Sequence, residues 1–221
     1  MPVATRLPLF PLNAVLVPGL VLPLHVFEPR YRVLVQALME LPEGAERRFG
    51  VVAIRSGREV GADGARALHA VGCTAELREV TPYSDGRYDL VTVGETRFRL
   101  VGLDDGAGTP YDTGFVEFLR EQDGDGDVDA LSRRVIARFA AYRERLGVEV
   151  TDLPDQPQVV SYLVAAAVVL DLPERQALLE EPTTADRLRA ELELLRRETA
   201  LVGTFRALPA VDLALESGSA N

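Results

Sequence analysis

LPLFPLNAVLVPGLVLPLHVFEPRYRVLVQALMEL, residues Leu7 to Leu41, joins two periodicities in one segment. Short apolar runs broken by Pro8, Pro11, Pro18 and Pro23 come first. A proline has no N–H to give a neighbouring strand, so these runs fit edge strands or strands bent at bulges, as in a small closed barrel. From Pro29 the spacing turns helical, with Tyr31, Leu34, Val35, Leu38 and Leu41 on one face. Pro29 suits the first helical position, where a missing N–H costs nothing.

Downstream the strand pattern continues. Arg48 to Ser56 reads as a short buried strand, 57–67 as a loop, and Leu68 to Thr81 as a long strand with Val71, Cys73, Ala75 and Leu77 alternating on one face. Ser84-Asp85-Gly86-Arg87 carries the Asp-Gly signal for a tight hairpin with positive φ at both central residues. Tyr88 to Val93 is its partner strand. Gly94-Glu95 reads as a further turn into Thr96–Val101, where Arg97 and Arg99 alternate with Phe98 and Leu100 and are expected on the solvent face. Tyr111 to Glu121 is the last expected strand.

Asp123-Gly124-Asp125-Gly126-Asp127 marks a shift in composition and is expected to be a flexible linker. Beyond it the pattern is helical. Val128, Leu131, Val135, Phe139, Tyr142 and Leu146 recur at three or four residues and stop at Gly147, a helix C-terminal signal. A nearly all-apolar helix is expected from about Gln156 to Leu170, then a capping box at Asp171 with Glu174 reaching back, and a helix ending near Glu181. A final long helix, capped by Thr183 or Thr184, carries the stripe Leu188, Leu192, Leu195, Val202 and Phe205. The pattern alone gives an α+β fold, a β-rich first half followed by a helical bundle.

Three patches of the chain resemble the Lon substrate-binding (Lon N-terminal) domain family. The first is the opening stretch, above all LPLFPL at Leu7–Leu12 and Leu24-His25-Val26-Phe27-Glu28-Pro29-Arg30-Tyr31-Arg32. The second is DLVTVGETRFRLVGL, and the third is LDLPERQALLEEPTTADRLRAELELLRRE. The resemblance implies a PUA-like β pseudo-barrel over residues 1–122, a Gly/Asp linker at 123–127, a helical bundle over 128–210 ending in a long helix, and a flexible tail at 211–221. In Lon proteases such a domain precedes an ATPase and a Ser–Lys peptidase and is thought to recognise unfolded or damaged protein.

Composition narrows what the chain can do. At 47% hydrophobic and 26% charged it is that of a folded globular protein, and its longest apolar run, Val159 to Leu170, is too short for a bilayer span. No signal-peptide pattern opens the chain. One cysteine, Cys73, permits no internal disulfide, which suits a reducing cytoplasm. Every one of the 24 basic residues is arginine, which also suits a GC-rich bacterial genome. The absence of lysine excludes a Walker A ATPase, a Ser–Lys peptidase and Schiff-base chemistry within this sequence. A net charge of −10 argues against a nucleic-acid binder.

Catalytic and metal motifs are equally sparse. His69 and Cys73 are four residues apart on one strand, about 13 Å, too far for a nucleophile–base pair; Cys73 reads as a small core residue. The two histidines, His25 and His69, come without HExxH or paired cysteines. The Asp–Gly run, aligned to a calcium loop from Glu121, has Ser132 where the closing Glu belongs. No GxSxG or GxGxxG stands in the chain. No cofactor is implied.

Glu28, Arg30, Tyr31 and Arg32 are the candidate binding residues. In one reading they line a groove for extended polypeptide, with arginine forks on backbone carbonyls and Tyr31 stacking. In the other, Glu28 and an arginine form an ion pair pinning the helix to the barrel, and Tyr31 is core. The expected function is a stand-alone, non-catalytic module binding unfolded or exposed apolar polypeptide, with no membrane and no nucleic-acid partner. The alternatives are an RNA-binding PUA-like module and a small-ligand or cryptic enzyme domain.

Overall fold

The computed structural model describes residues 4–56, 67–149 and 152–207. In chain order the elements are β1 (Thr5–Leu12), β2 (Val21–Val26), α1 (Pro29–Met39), β3 (Arg48–Ser56), β4 (Ala67–Leu68), β5 (Val71–Pro82), β6 (Tyr88–Leu103), β7 (Thr113–Phe118), α2 (Val128–Leu146), α3 (Pro157–Ala167), α4 (Leu172–Glu180) and α5 (Thr184–Ala207). The α+β order is the one expected. Most of the 57–67 loop and the tail beyond 210 lie outside the described residues, as does the side chain of Phe205.

The sheet runs β1-β7-β6-β5-β3-β4, and a parallel β1–β3 pairing closes it into a pseudo-barrel, with β2 branching from β6. The prolines are placed by edges rather than bulges. Thr5–Pro8 pair with β7 alone and Leu9–Leu12 with β3 alone, so each half of β1 has one open side. Pro23 lies in β2, which pairs only with β6. The register shifts fall elsewhere, in the β3–β4, β5–β6 and β6–β7 pairings.

α1 begins at Pro29, in the first turn after the N-cap Glu28, and buries Tyr31, Leu34, Val35 and Leu38 against Phe10, Leu12, Phe49 and Leu90 of the barrel. Leu41 departs from the expected stripe: the helix has ended at Met39, and Leu41 is exposed. β1 is buried on both faces, because Leu7 and Leu9 turn to a second cluster with Val52, Phe98 and Val116. Alternation also fails at the start of β5, where Val71 to Ala75 are all buried: Val71 packs with the helices, Cys73 and Ala75 with the barrel core, and Gly72 lies against the Phe98 ring. The β5–β6 turn is a hairpin, but Gly86 alone has positive φ (81°), closing a turn in which its N–H donates to the Tyr83 carbonyl.

Two expectations for β6 are corrected. It does not turn at Gly94-Glu95 but runs unbroken for 16 residues. Gly94 serves close packing: its N–H donates to the Leu20 carbonyl at 2.9 Å, and a Cβ there would collide with the Val17 carbonyl. Arg97 is not on the solvent face; it is 1% exposed, whereas Arg99 is exposed as expected. The outer surface of β6 at Arg97 is covered by the helices, so period-two patterning misassigns it.

Arg97 belongs to a polar junction between barrel and bundle. Its Nε and Nη2 donate to the Glu121 carboxylate at 2.7 and 3.1 Å, and its Nη1 to the Leu179 and Glu181 carbonyls at 2.8 and 2.6 Å. Tyr162 of α3 donates to the same carboxylate at 2.8 Å. Arg187 of α5, fully buried, lies over the Tyr162 ring at 4.0 Å and donates to Ser161 and to the Leu178 carbonyl. Around this network Val15, Val17, Ala53 and Val71 of the β half pack on Tyr162 and Leu179.

The helices follow local signals. Asp127 caps α2 by accepting from Ala130 N–H at 2.8 Å, and Gly147 ends it in the left-handed region. The Asp–Gly segment before it is tied to α5: Thr184 and Ala185 N–H donate to the Gln122 and Asp123 carbonyls, and Arg189 to that of Asp125. α3 stops at Ala167, short of Leu170, because Val168 turns extended and Val169 is 75% exposed. Asp171 caps α4 through Glu174 N–H, but the Glu174 side chain pairs with Arg197 at 2.6 Å instead of completing the box. Thr183 caps α5 through Asp186 N–H. No helix among the described residues is long and apolar enough to cross a membrane.

Candidate functional site

The barrel wall parts on one side. Residues Leu9–Leu12 of β1 and Val21–Val26 of β2 each lack a strand partner toward the other, and α1 starts directly after β2. A cleft of about 250 Å³ opens there, floored by Phe10, Leu12, Leu24 and Val26 and rimmed by His25, Phe27, Glu28 and Tyr31.

The four candidate residues divide within this geometry. Tyr31 is buried, its ring stacked on Phe10 with centroids 3.9 Å apart. Arg30 covers the Tyr31 ring, its guanidinium carbon 4.4 Å from the centroid, and donates from Nε to Glu28 at 3.2 Å, with Asp112 at 4.0 Å. Glu28, Arg30 and Tyr31 thus form one cluster at the cleft. Arg32 does not join it: its guanidinium lies against Gly86 of the β5–β6 turn.

Phe27 is the residue that sequence reasoning missed. It is 50% exposed on the rim, its ring 6.3 Å from that of His25. The signal was present: a residue just before an N-cap is held down by an apolar partner at the fourth helical position, and here that position is Arg32. Phe27 has no staple.

A polar string borders the rim. His25 Nδ1 donates to Asp89 at 2.6 Å, Tyr83 donates to the other Asp89 oxygen, and Arg87 Nη1 lies 3.4 Å from His25 Nε2. An arginine can only donate, so Arg87 faces Nε2 as a donor and Asp89 faces Nδ1 as an acceptor. Hydrogen bonds from Tyr83 and then His25 hold the Asp89 carboxyl below its ordinary range, and the same bond to Asp89 raises the Tyr83 phenol. The imidazole nitrogen that an acid–base dyad would turn to a substrate is therefore occupied by Arg87. His69 sits elsewhere, 3.7 Å from Glu180, and burial raises the Cys73 thiol, leaving it unreactive inside the barrel. Among the described residues no group of three or more His, Cys, Asp or Glu side chains could hold a metal ion.

A wider groove of about 680 Å³ runs where β6 and β7 meet the α4–α5 corner. Its walls carry Arg99 and Arg120 against Glu117 and Glu180, so their charges balance, and Arg97 beneath is committed to Glu121. The smaller cleft has the more apolar walls and the exposed aromatic.

Residues 6–197 match the family described as the ATP-dependent protease La (LON) substrate-binding domain. The chain is 29% identical over 206 residues to Lon protease 2 of Myxococcus xanthus, covering 89% of this chain and 24% of that protein. It is 28% identical over 205 residues to the Lon protease of Anaeromyxobacter dehalogenans, with the same coverage of 89% and 24%. The chain thus spans about a quarter of the length of these relatives. Among solved structures, a Lon N-terminal domain protein from Xanthomonas campestris superposes with a TM-score of 0.64 at 28% identity, covering 87% of this chain and 98% of that one. The N-terminal domain of the Mycobacterium avium complex Lon protease shares the fold, with a TM-score of 0.65 at 17% identity over 89% and 98% of the two chains. With the match extending from β1 into α5, this chain belongs to the Lon substrate-binding domain family.

Proposed function

We propose that the chain is a non-catalytic recognition module of the cytoplasm that binds unfolded or exposed apolar polypeptide in the cleft between β1, β2 and the start of α1. The observation that carries this reading is Phe27, half-exposed on the rim of an apolar cleft, in a family named for substrate binding. Glu28 and Tyr31 form its wall, and Arg30 braces both. Arg32, on α1, reaches the neighbouring hairpin and stands outside the cleft. The lysine-free sequence supports a role without ATPase or Ser–Lys chemistry of its own.

The test is fluorescence anisotropy with a labelled, permanently unfolded protein and a labelled single-stranded RNA, at low and moderate salt. Saturable binding of the unfolded protein that persists as salt rises is expected, because apolar burial is not screened. Phe27→Ser should weaken it about tenfold, the scale of one half-buried aromatic contact. Val169→Ser, at a still more exposed apolar position in the helical half, should not. RNA binding that fades with salt, without polypeptide binding, would overturn the proposal.

A further inference from the structure

Resting on that reading of the cleft, we infer that it recognises an inserted bulky apolar side chain and makes no use of the polypeptide backbone. An opening between two unpaired strand edges is where an extended peptide would ordinarily add as a new strand, drawing on a line of edge N–H and C=O groups. Both edges here have lost most of the donors of that line, and carbonyls alone do not hold an added strand in register.

On β1 the Leu9 N–H donates to the Asp112 carbonyl at 2.8 Å, so Leu9 turns away from β3. Strand alternation then turns Pro11 the same way, and proline has no N–H. Over Leu9–Leu12 the cleft side of β1 therefore offers no free donor. On β2 the Leu20 carbonyl accepts from Gly94 and the Leu22 carbonyl from the Thr92 hydroxyl, so the even residues face β6 and Val21, Pro23 and His25 face the open side. Pro23 removes the middle donor. The N–H groups of Val21 and His25 remain, about 13 Å apart, where an added strand needs one about every 7 Å.

What the cleft offers instead is surface for a side chain. The Tyr31 ring is fixed between Phe10 and Arg30, Leu24 and Val26 form the opposite floor, and Phe27 projects from the rim. A volume of about 250 Å³ falls below that of sites enclosing whole drug-sized ligands, and suits one aromatic or large aliphatic side chain. Such a site tolerates any backbone conformation that can present the side chain, as fits a partner with no fixed structure.

The experiment uses the full chain, isotope-labelled and followed by NMR, which reads the millimolar affinities expected for one side chain. Three peptides of one Gly/Ser background are titrated: a central Phe, the same with the flanking amides N-methylated, and Phe replaced by Ala. The methylated peptide should bind within about twofold of its parent, with shifts at Phe27 and Leu24. The Ala peptide should bind at least about tenfold more weakly. A loss of tenfold or more on methylation would overturn the inference and point to strand addition. Failure of the Phe peptide to bind, while unfolded protein still binds, would overturn it as well and leave the polypeptide-binding reading standing. If unfolded protein does not bind either, both readings fall.

Discussion

Glu191 lies near the middle of α5, 1% exposed, with neither carboxylate oxygen hydrogen-bonded. Around it stand Val164, Val168, Leu178 and Leu195. Burial pushes its carboxyl well above the ordinary value near 4.5, opposed only by the charge of Arg187 one turn earlier. A raised carboxyl favours the folded state below the unfolded value, and this contribution is lost as pH rises through the folded value. Wild-type unfolding free energy should therefore fall from pH 5 upward, by at most about 1.4 kcal/mol per pH unit within the window. Glu191→Gln should flatten that slope, and Glu191→Leu should be the more stable protein at pH 8, as urea denaturation across pH would show. An unchanged slope in Glu191→Gln would place the proton elsewhere. The position itself was legible, since 191 falls on the stripe with Leu188, Leu192 and Leu195. A stripe of spacings flags apolar residues, however, and passes over a charged one that shares their burial.

Among the elements, those whose signals lie within about four residues were readable. Gly147, Asp171 and Thr183 bound their helices where expected, because each makes its capping bond to its own chain a few residues away. β6 and the cleft were not, because distant segments define them. β6 changes partner from β2 to β7 near Gly94, and the glycine that reads as a turn is there to admit the Val17 carbonyl. A backbone oxygen cannot move aside as a side-chain tip can, so Gly94→Ala should destabilise the protein by about 1–3 kcal/mol. A midpoint within error of wild type in chemical denaturation would mean that the 17–20 segment shifts freely. The cleft depends on β1 and β2 not pairing with each other, a fact of topology that no local spacing reports.

At the scale of the molecule, Arg97 decides whether barrel and bundle behave as one body. Its guanidinium spends every nitrogen on the junction: two on Glu121 and one on the carbonyls of Leu179 and Glu181. Tyr162 and Arg187 meet the same carboxylate from α3 and α5. Removing one partner of such a pair leaves the others buried without compensation, which costs about 3–5 kcal/mol. Arg97→Leu should show that loss, and Arg99→Leu, two residues along on the exposed face, should stay within about 0.5 kcal/mol. The distribution of the loss is more informative than its size. An apolar seam of Val15, Val17, Ala53, Val71, Tyr162 and Leu179 surrounds the network, and if it alone held the halves together, Arg97→Leu would still melt in one transition at lower temperature. We expect calorimetry to resolve two transitions instead. The Leu179 and Glu181 carbonyls at the end of α4 would lose the Arg97 donor and Glu121 its buried partner, and the helices would release the barrel before the barrel itself unfolds.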